Sequence, residues 1–174
     1  MKPAVILDCG GVLGLPQDPD REAAMADLCA LPVERFRLLY KKDRLELDRG
    51  SISVHEYWSR LFTESGITPT PPLIAAIEEH DAQAWTRVNQ AVVDWSRELR
   101  AAGYRTAILS NMPPNKLAYM RSSGRFDWID EFPVAIFSCD VDMVKPEPGI
   151  YRLCLDRLGV QPADSLFLDD FQVN

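Results

Sequence analysis

The sequence has 174 residues, enough for one hydrophobic core or for a core carrying a small insert. Apolar residues make up 47% and charged residues 26%, the balance of a globular protein. The formal net charge is −7 with Lys and Arg scattered along the chain, which excludes a nucleic-acid track and disfavours an anionic membrane surface.

The first predicted element is a strand, Ala4–Leu7, an unbroken apolar run of the kind buried on both faces of a parallel sheet. Asp8 breaks it after four residues, too early for a signal peptide, and no later run is long enough to span a membrane. From 15 to 88 there is no convincing strand. Helical patterns cover Arg21–Ala30, Val33–Arg44, Val54–Ser65 and Pro72–Ala84. The third opens on Ser53-Val54-His55-Glu56, the spacing of a capping box, and Thr68-Pro69-Thr70-Pro71-Pro72 separates it from the fourth. Tyr40, Tyr57, Trp58, Phe62 and Trp85 could line a pocket here, but the helical spacing of Tyr57, Leu61 and Phe62 favours a core.

The pattern then changes. Val92–Ala102 predicts an amphipathic helix ended by Gly103, and strands are expected at Thr106–Leu109, Val134–Phe137 and Leu166–Leu168. A helix over Pro148–Leu158 precedes Gly159. Alternating strands and helices imply an α/β fold, a doubly wound, Rossmann-like parallel sheet built from 1–14 and 89–174, with the helices of 15–88 inserted. The four cysteines, Cys9, Cys29, Cys139 and Cys154, form no C-x-x-C pair. Free thiols without an export signal predict a cytoplasmic protein without zinc.

In open parallel sheets ligands bind beyond the carboxyl ends of the strands. After the first run comes Asp8-Cys9-Gly10-Gly11, and after the second Ser110-Asn111. After the third come Asp140 and then Lys145-Pro146, and after the fourth Asp169-Asp170. Carboxylates, a hydroxyl and a lysine therefore converge on one crevice. Paired carboxylates suit a hard divalent cation such as magnesium, and the lysine and serine suit phosphate oxygens. Gly10 and Gly11 let backbone approach a ligand, and a carboxylate can attack phosphorus to give an aspartyl-phosphate.

The order of these segments resembles the four motifs of the haloacid dehalogenase superfamily. Leu7-Asp8-Cys9-Gly10-Gly11-Val12-Leu13 is similar to its first motif and Leu109-Ser110-Asn111 to its second. Val144-Lys145-Pro146-Glu147-Pro148 and Asp169-Asp170-Phe171-Gln172-Val173-Asn174 are similar to its third and fourth, and the helical insert lies where the family's C1-type cap lies. The resemblance implies Asp8 as nucleophile and metal ligand. The Gly10 carbonyl and Asp170 would be further Mg2+ ligands, with Asp169 and Asn174 supporting. Ser110, Asn111, Gly11 and Lys145 would surround the phosphate. The activity implied is a magnesium-dependent phosphohydrolase for a small phosphorylated metabolite, monomeric or homodimeric, whose cap closes over the substrate.

Three positions depart from the family pattern. Gly10 stands where family phosphatases carry a general acid, which leaves Asp169 or a cap residue as candidate replacements. Asp142 stands where a small residue is usual, so it is expected to repel phosphate or to pair with Lys145. The sequence stops at Asn174, where family members continue, so a truncated core is expected. Two alternatives stay open: a 2-haloacid dehalogenase, in which the aspartate attacks carbon without metal, and a non-catalytic phosphate-binding or partner-binding relic. Members that act as dehalogenases lack the fourth-motif carboxylate pair, so Asp169-Asp170 favours phosphatase chemistry.

Overall fold

Unbroken apolar strands need cover on both faces, and a parallel sheet packed between helices supplies it. In the computed structural model, which describes residues 2–174, the strands are β1 (Ala4–Leu7), β2 (Arg105–Ser110), β3 (Val134–Phe137) and β4 (Ser165–Leu168). They form one sheet in the order β3-β2-β1-β4, every pair parallel. Ile6 lies opposite Ala107 on one side and Phe167 on the other. The chain builds outward from β1 through β2 to β3, then returns to add β4 on the other flank.

Alternation along each strand sorts the side chains into two layers. Val5 and Leu7 of β1 and Ile108 of β2 pack with Val93 of α6 (Gln90–Ala101) and with Leu117 and Met120 of α7 (Pro114–Ser122). Ala4 and Ile6 of β1 and Ala107 and Leu109 of β2 pack on the opposite face with Ile150, Cys154 and Leu158 of α9 (Pro148–Leu158). The fold is therefore a doubly wound α/β sheet covered on both faces.

Between β1 and α6 lie five helices: α1 (Pro19–Leu28), α2 (Val33–Lys42), α3 (Arg44–Arg49), α4 (Val54–Glu64) and α5 (Pro71–Ala84). They bury a core of their own around Met25, Phe36, Tyr57, Trp58, Phe62 and Ile77. Ser53 caps α4 by accepting from the Glu56 backbone N–H at 3.1 Å, as the capping-box spacing predicts. The chain enters and leaves this region side by side. Leu15 N–H donates to the Arg87 carbonyl at 2.8 Å, and Asn89 N–H to the Leu13 carbonyl at 2.9 Å.

The region also grips the sheet through α3. Ser138, which opens the short α8 (Ser138–Val141), is fully buried, accepts from Met112 N–H at 2.8 Å and donates to the Asp48 carbonyl at 2.5 Å. Arg49 makes two hydrogen bonds to the Glu147 carboxylate, at 2.5 and 3.0 Å.

The structure differs from the sequence pattern in two places. The periodic run Val33–Arg44 ends as a helix at Lys42, because the chain departs from helical geometry at Asp43 (φ −108°), and a separate helix, α3, starts at Arg44. The pattern did not delimit α7, which starts at a Pro-Pro pair and offers only Leu117 and Met120 as buried apolar residues. Among the described residues no helix is long and apolar enough to cross a membrane.

Candidate active site

Because β1 is the strand from which the chain builds in both directions, the crevice between the ends of β1 and β4 is the sheet's topological switch point. Asp8 stands there. Its backbone N–H completes the sheet by donating to the Leu168 carbonyl at 2.9 Å, and its Oδ1 accepts from Cys9 N–H at 2.7 Å. The chain then turns through Gly10 and Gly11. Gly11 has φ +72°, and a Cβ on it would lie 2.2 Å from Asp170 Oδ2. Only glycine lets the Asp170 carboxylate settle against this loop.

From β4, Asp169 and Asp170 complete a group of three carboxylates with Asp8, one oxygen of each lying within 4.8 Å of the others. Lys145, 1% exposed, puts Nζ 3.1 Å from Asp8 Oδ2 and 2.5 Å from Asp169 Oδ2. Asp169 also accepts from Phe171 N–H at 2.7 Å and from Asn174 Nδ2 at 3.1 Å. Asp170 has no ion pair among the described residues. Burial pushes the Asp8 carboxyl above its ordinary pKa, against the pull of Lys145 and a hydrogen bond from Ser110. Burial, and then the charge of Asp169, push Asp170 up.

Ionised together, the three carboxylates and the one Lys145 ammonium would leave two negative charges uncompensated. That is the charge of one divalent cation, and hard carboxylate oxygens are what magnesium prefers. The donor set therefore fits the metal expected from the sequence, with Asp170 the carboxylate left free to bind it.

Lys145 is held by its backbone. Asn111 at the end of β2 donates from Nδ2 to the Lys145 carbonyl at 3.0 Å and accepts the Lys145 N–H on Oδ1 at 2.8 Å. Asn111, expected beside the phosphate, thus lines the cavity while its amide is engaged with Lys145. Ser110, at 2% exposure, faces the same cavity beside Asp8. Lys145 pairs with Asp8 and Asp169 and makes no ion pair with Asp142, which instead takes a left-handed conformation (φ +55°) and offers its carbonyl to Arg49 at 3.1 Å. Cys9 is buried in the sheet core, away from the cavity that Asp8 lines.

Above these groups lies a cavity of about 490 Å³. Its far wall comes from the helical region, including Tyr40, Lys41, Arg44, Asp48 and Trp85. Tyr57, Trp58 and Phe62 belong to the helical core, so of the five aromatics singled out from sequence only Tyr40 and Trp85 reach the cavity. The wall is braced by a buried network. Tyr40 hydroxyl donates to Asp81 Oδ1 at 2.6 Å, and Arg44 reaches Tyr40 at 2.7 Å and Asp48 at 3.0 Å. Sequence reading missed Arg44, Asp48 and Lys116. The only local signal was the Arg44–Asp48 spacing of four residues, which many solvated helix faces share.

The class this fold and site define is a Rossmann-like α/β core with a carboxylate cluster and a lysine at its switch point. The family profile for haloacid dehalogenase-like hydrolases matches residues 3–173, and the chain belongs to that family. It is 30% identical over 131 residues, 74% of its length, to mouse (Mus musculus) acyl-CoA dehydrogenase family member 10, and 28% identical over 96% of its length to rat (Rattus norvegicus) bifunctional epoxide hydrolase 2. It spans 10% and 33% of those two proteins. A HAD family enzyme from Bacteroides thetaiotaomicron, solved with magnesium and inorganic phosphate, shares the fold with a TM-score of 0.72 at 18% identity, over 99% of this chain and 87% of that one.

Proposed function

We propose that the chain is a magnesium-dependent phosphohydrolase with Asp8 as its nucleophile. The observation that carries this reading is the group of three carboxylates, Asp8, Asp169 and Asp170, with Lys145 paired to the first two. Attack on carbon by a lone aspartate needs no such cluster. The Bacteroides fold relative, crystallised with magnesium and inorganic phosphate, supports the same ligands here.

In this reading Asp8, Asp170 and the Gly10 carbonyl hold magnesium with Asp169 beside them, and the metal supplies charge neutralisation for the transferring phosphoryl group. An Asp8 oxygen attacks phosphorus, and the ester P–O bond breaks as the leaving group departs with the bonding electron pair and takes its proton from solvent. Lys145 and Ser110 hold phosphoryl oxygens, and Asn111 holds Lys145 in place. Water then cleaves the aspartyl-phosphate and restores Asp8. Asp169, a candidate acid from sequence, is fixed by Lys145, Phe171 N–H and Asn174, so it acts as a positioning carboxylate. Residues 15–88 act as a cap on the core formed by 1–14 and 89–174, excluding water from the cavity during transfer. The substrate is a small phosphorylated metabolite.

Hydrolysis of p-nitrophenyl phosphate tests the reading, because its phenolate leaves readily without an acid at position 10. Release is expected with magnesium and should vanish with EDTA and in Asp8→Asn. Turnover in folded Asp8→Asn, or chloride release from 2-chloropropionate without metal, would overturn it in favour of different chemistry.

A further inference from the structure

Lys116 reaches the same cavity from the first turn of α7. It is 6% exposed, yet among the described residues it makes no ion pair and no hydrogen bond. Its Nζ lies 4.4 Å from the centre of the Trp85 ring. A buried ammonium is costly without an acceptor for its protons, and the positive end of the α7 dipole makes this position worse still. Burial accordingly pushes its pKa below the usual lysine range. An anion bound beside it would relieve both penalties.

The neighbourhood is otherwise rich in donors. Trp85 Nε1 and Gln17 Nε2 are both buried without a hydrogen-bond partner, and both residues line the cavity. The nearby carboxylate Asp48 is taken by Arg44 at 3.0 Å. The Trp85 ring also closes on the nucleophile loop, since a Cβ on Gly10 would lie 3.3 Å from its Cζ3. Trp85 therefore touches both the Asp8 loop and Lys116, and all three line the same cavity.

We propose that Lys116, with Trp85 and Gln17, forms a second oxyanion subsite, and that the substrate is a phosphate monoester whose leaving group carries a carboxylate. A carboxylate matches the arrangement because one ammonium balances its single charge, and two residues of the same cavity hold N–H donors that lack acceptors. The proposal rests on the phosphohydrolase reading for the placement of the phosphoryl group at Asp8, and it makes the site a selector for phosphorylated hydroxy acids over neutral sugar phosphates.

Calorimetric binding to the full chain with magnesium tests it without turnover. The probes are phosphonoacetate, 3-phosphonopropionate and 4-phosphonobutyrate, each against the alkylphosphonate of equal carbon number. At least one phosphonocarboxylate should bind about tenfold or more tightly than its match. Lys116→Met should bring that ratio close to one, and Lys116→Arg should restore part of it. Lys116→Met should also melt no lower than the parent, because it removes an unpaired buried charge; a merely structural lysine would lower the melting temperature. Equal affinities in every pair, or a ratio that survives Lys116→Met, overturns the subsite. A preserved ratio without p-nitrophenyl phosphate hydrolysis removes the phosphohydrolase reading and leaves the subsite standing, whereas hydrolysis without any ratio does the reverse.

Discussion

Gly11→Ala separates a backbone cost from a site cost. At φ +72° an L-residue is disfavoured by about 1–2 kcal/mol. For a chain of this size that lowers the melting temperature by roughly 2–8 °C. The added methyl carbon would also sit 2.2 Å from Asp170 Oδ2, about 1 Å inside van der Waals contact, so the carboxylate must move by a similar amount. A displacement of about 1 Å is enough to cost on the order of 10²-fold in a positioned site. Magnesium half-saturation of p-nitrophenyl phosphate hydrolysis should rise about tenfold or more. Gly103→Ala is the control, because it has φ +83° and nothing within 4 Å of a new Cβ. It should lose comparable stability and keep the parent's magnesium dependence. Unchanged half-saturation in Gly11→Ala, or an equal rise in Gly103→Ala, would refute the argument that Gly11 exists to admit Asp170.

Three further outcomes follow from the geometry. Ser138→Ala strands Met112 N–H and the Asp48 carbonyl, and thermal denaturation should show a loss of about 1–3 kcal/mol; an unchanged melting temperature would mean that this tie between α3 and the sheet carries no stability. Asn111→Ala releases the Lys145 backbone, so kcat should fall about 10–100-fold with a smaller change in KM; an effect on KM alone would make Asn111 a phosphate contact instead. Burial raises the Asp48 pKa above its unfolded value, so the folded state holds that proton more tightly and Asp48's contribution to stability falls as pH rises from the ordinary carboxylate range through the raised value. Urea denaturation between about pH 4 and 7 should show a shallower decline in Asp48→Asn, and identical slopes would contradict the raised value.

The strands were legible in the sequence because burial on both faces leaves continuous apolar runs, and all four lie within a residue of where those runs fall. The crevice was legible for a related reason. Parallel strands share one carboxyl end, so Asp8, Ser110 and Asp169-Asp170 could be assigned to one edge before any contact was known. The break at Asp43 and the α7 boundary were not legible, because local helical spacing continues through the first and is weak in the second.

By itself, then, the sequence determined the strands, the helical character of the segment between the first two of them and the identity of the residues at the strand ends, since each follows from local periodicity and chain order. Tertiary structure alone decided how those residues are used. It set Lys145 between Asp8 and Asp169, gave the Asn111 amide to the Lys145 backbone, and fitted Asp170 against Gly11. It also turned Lys116, Tyr40 and Trp85 toward the cavity while burying Tyr57, Trp58 and Phe62 in the helical core. The reason is physical. A side chain's periodicity fixes which face of its own helix it occupies, but what that face meets depends on the packing of helices distant in the chain.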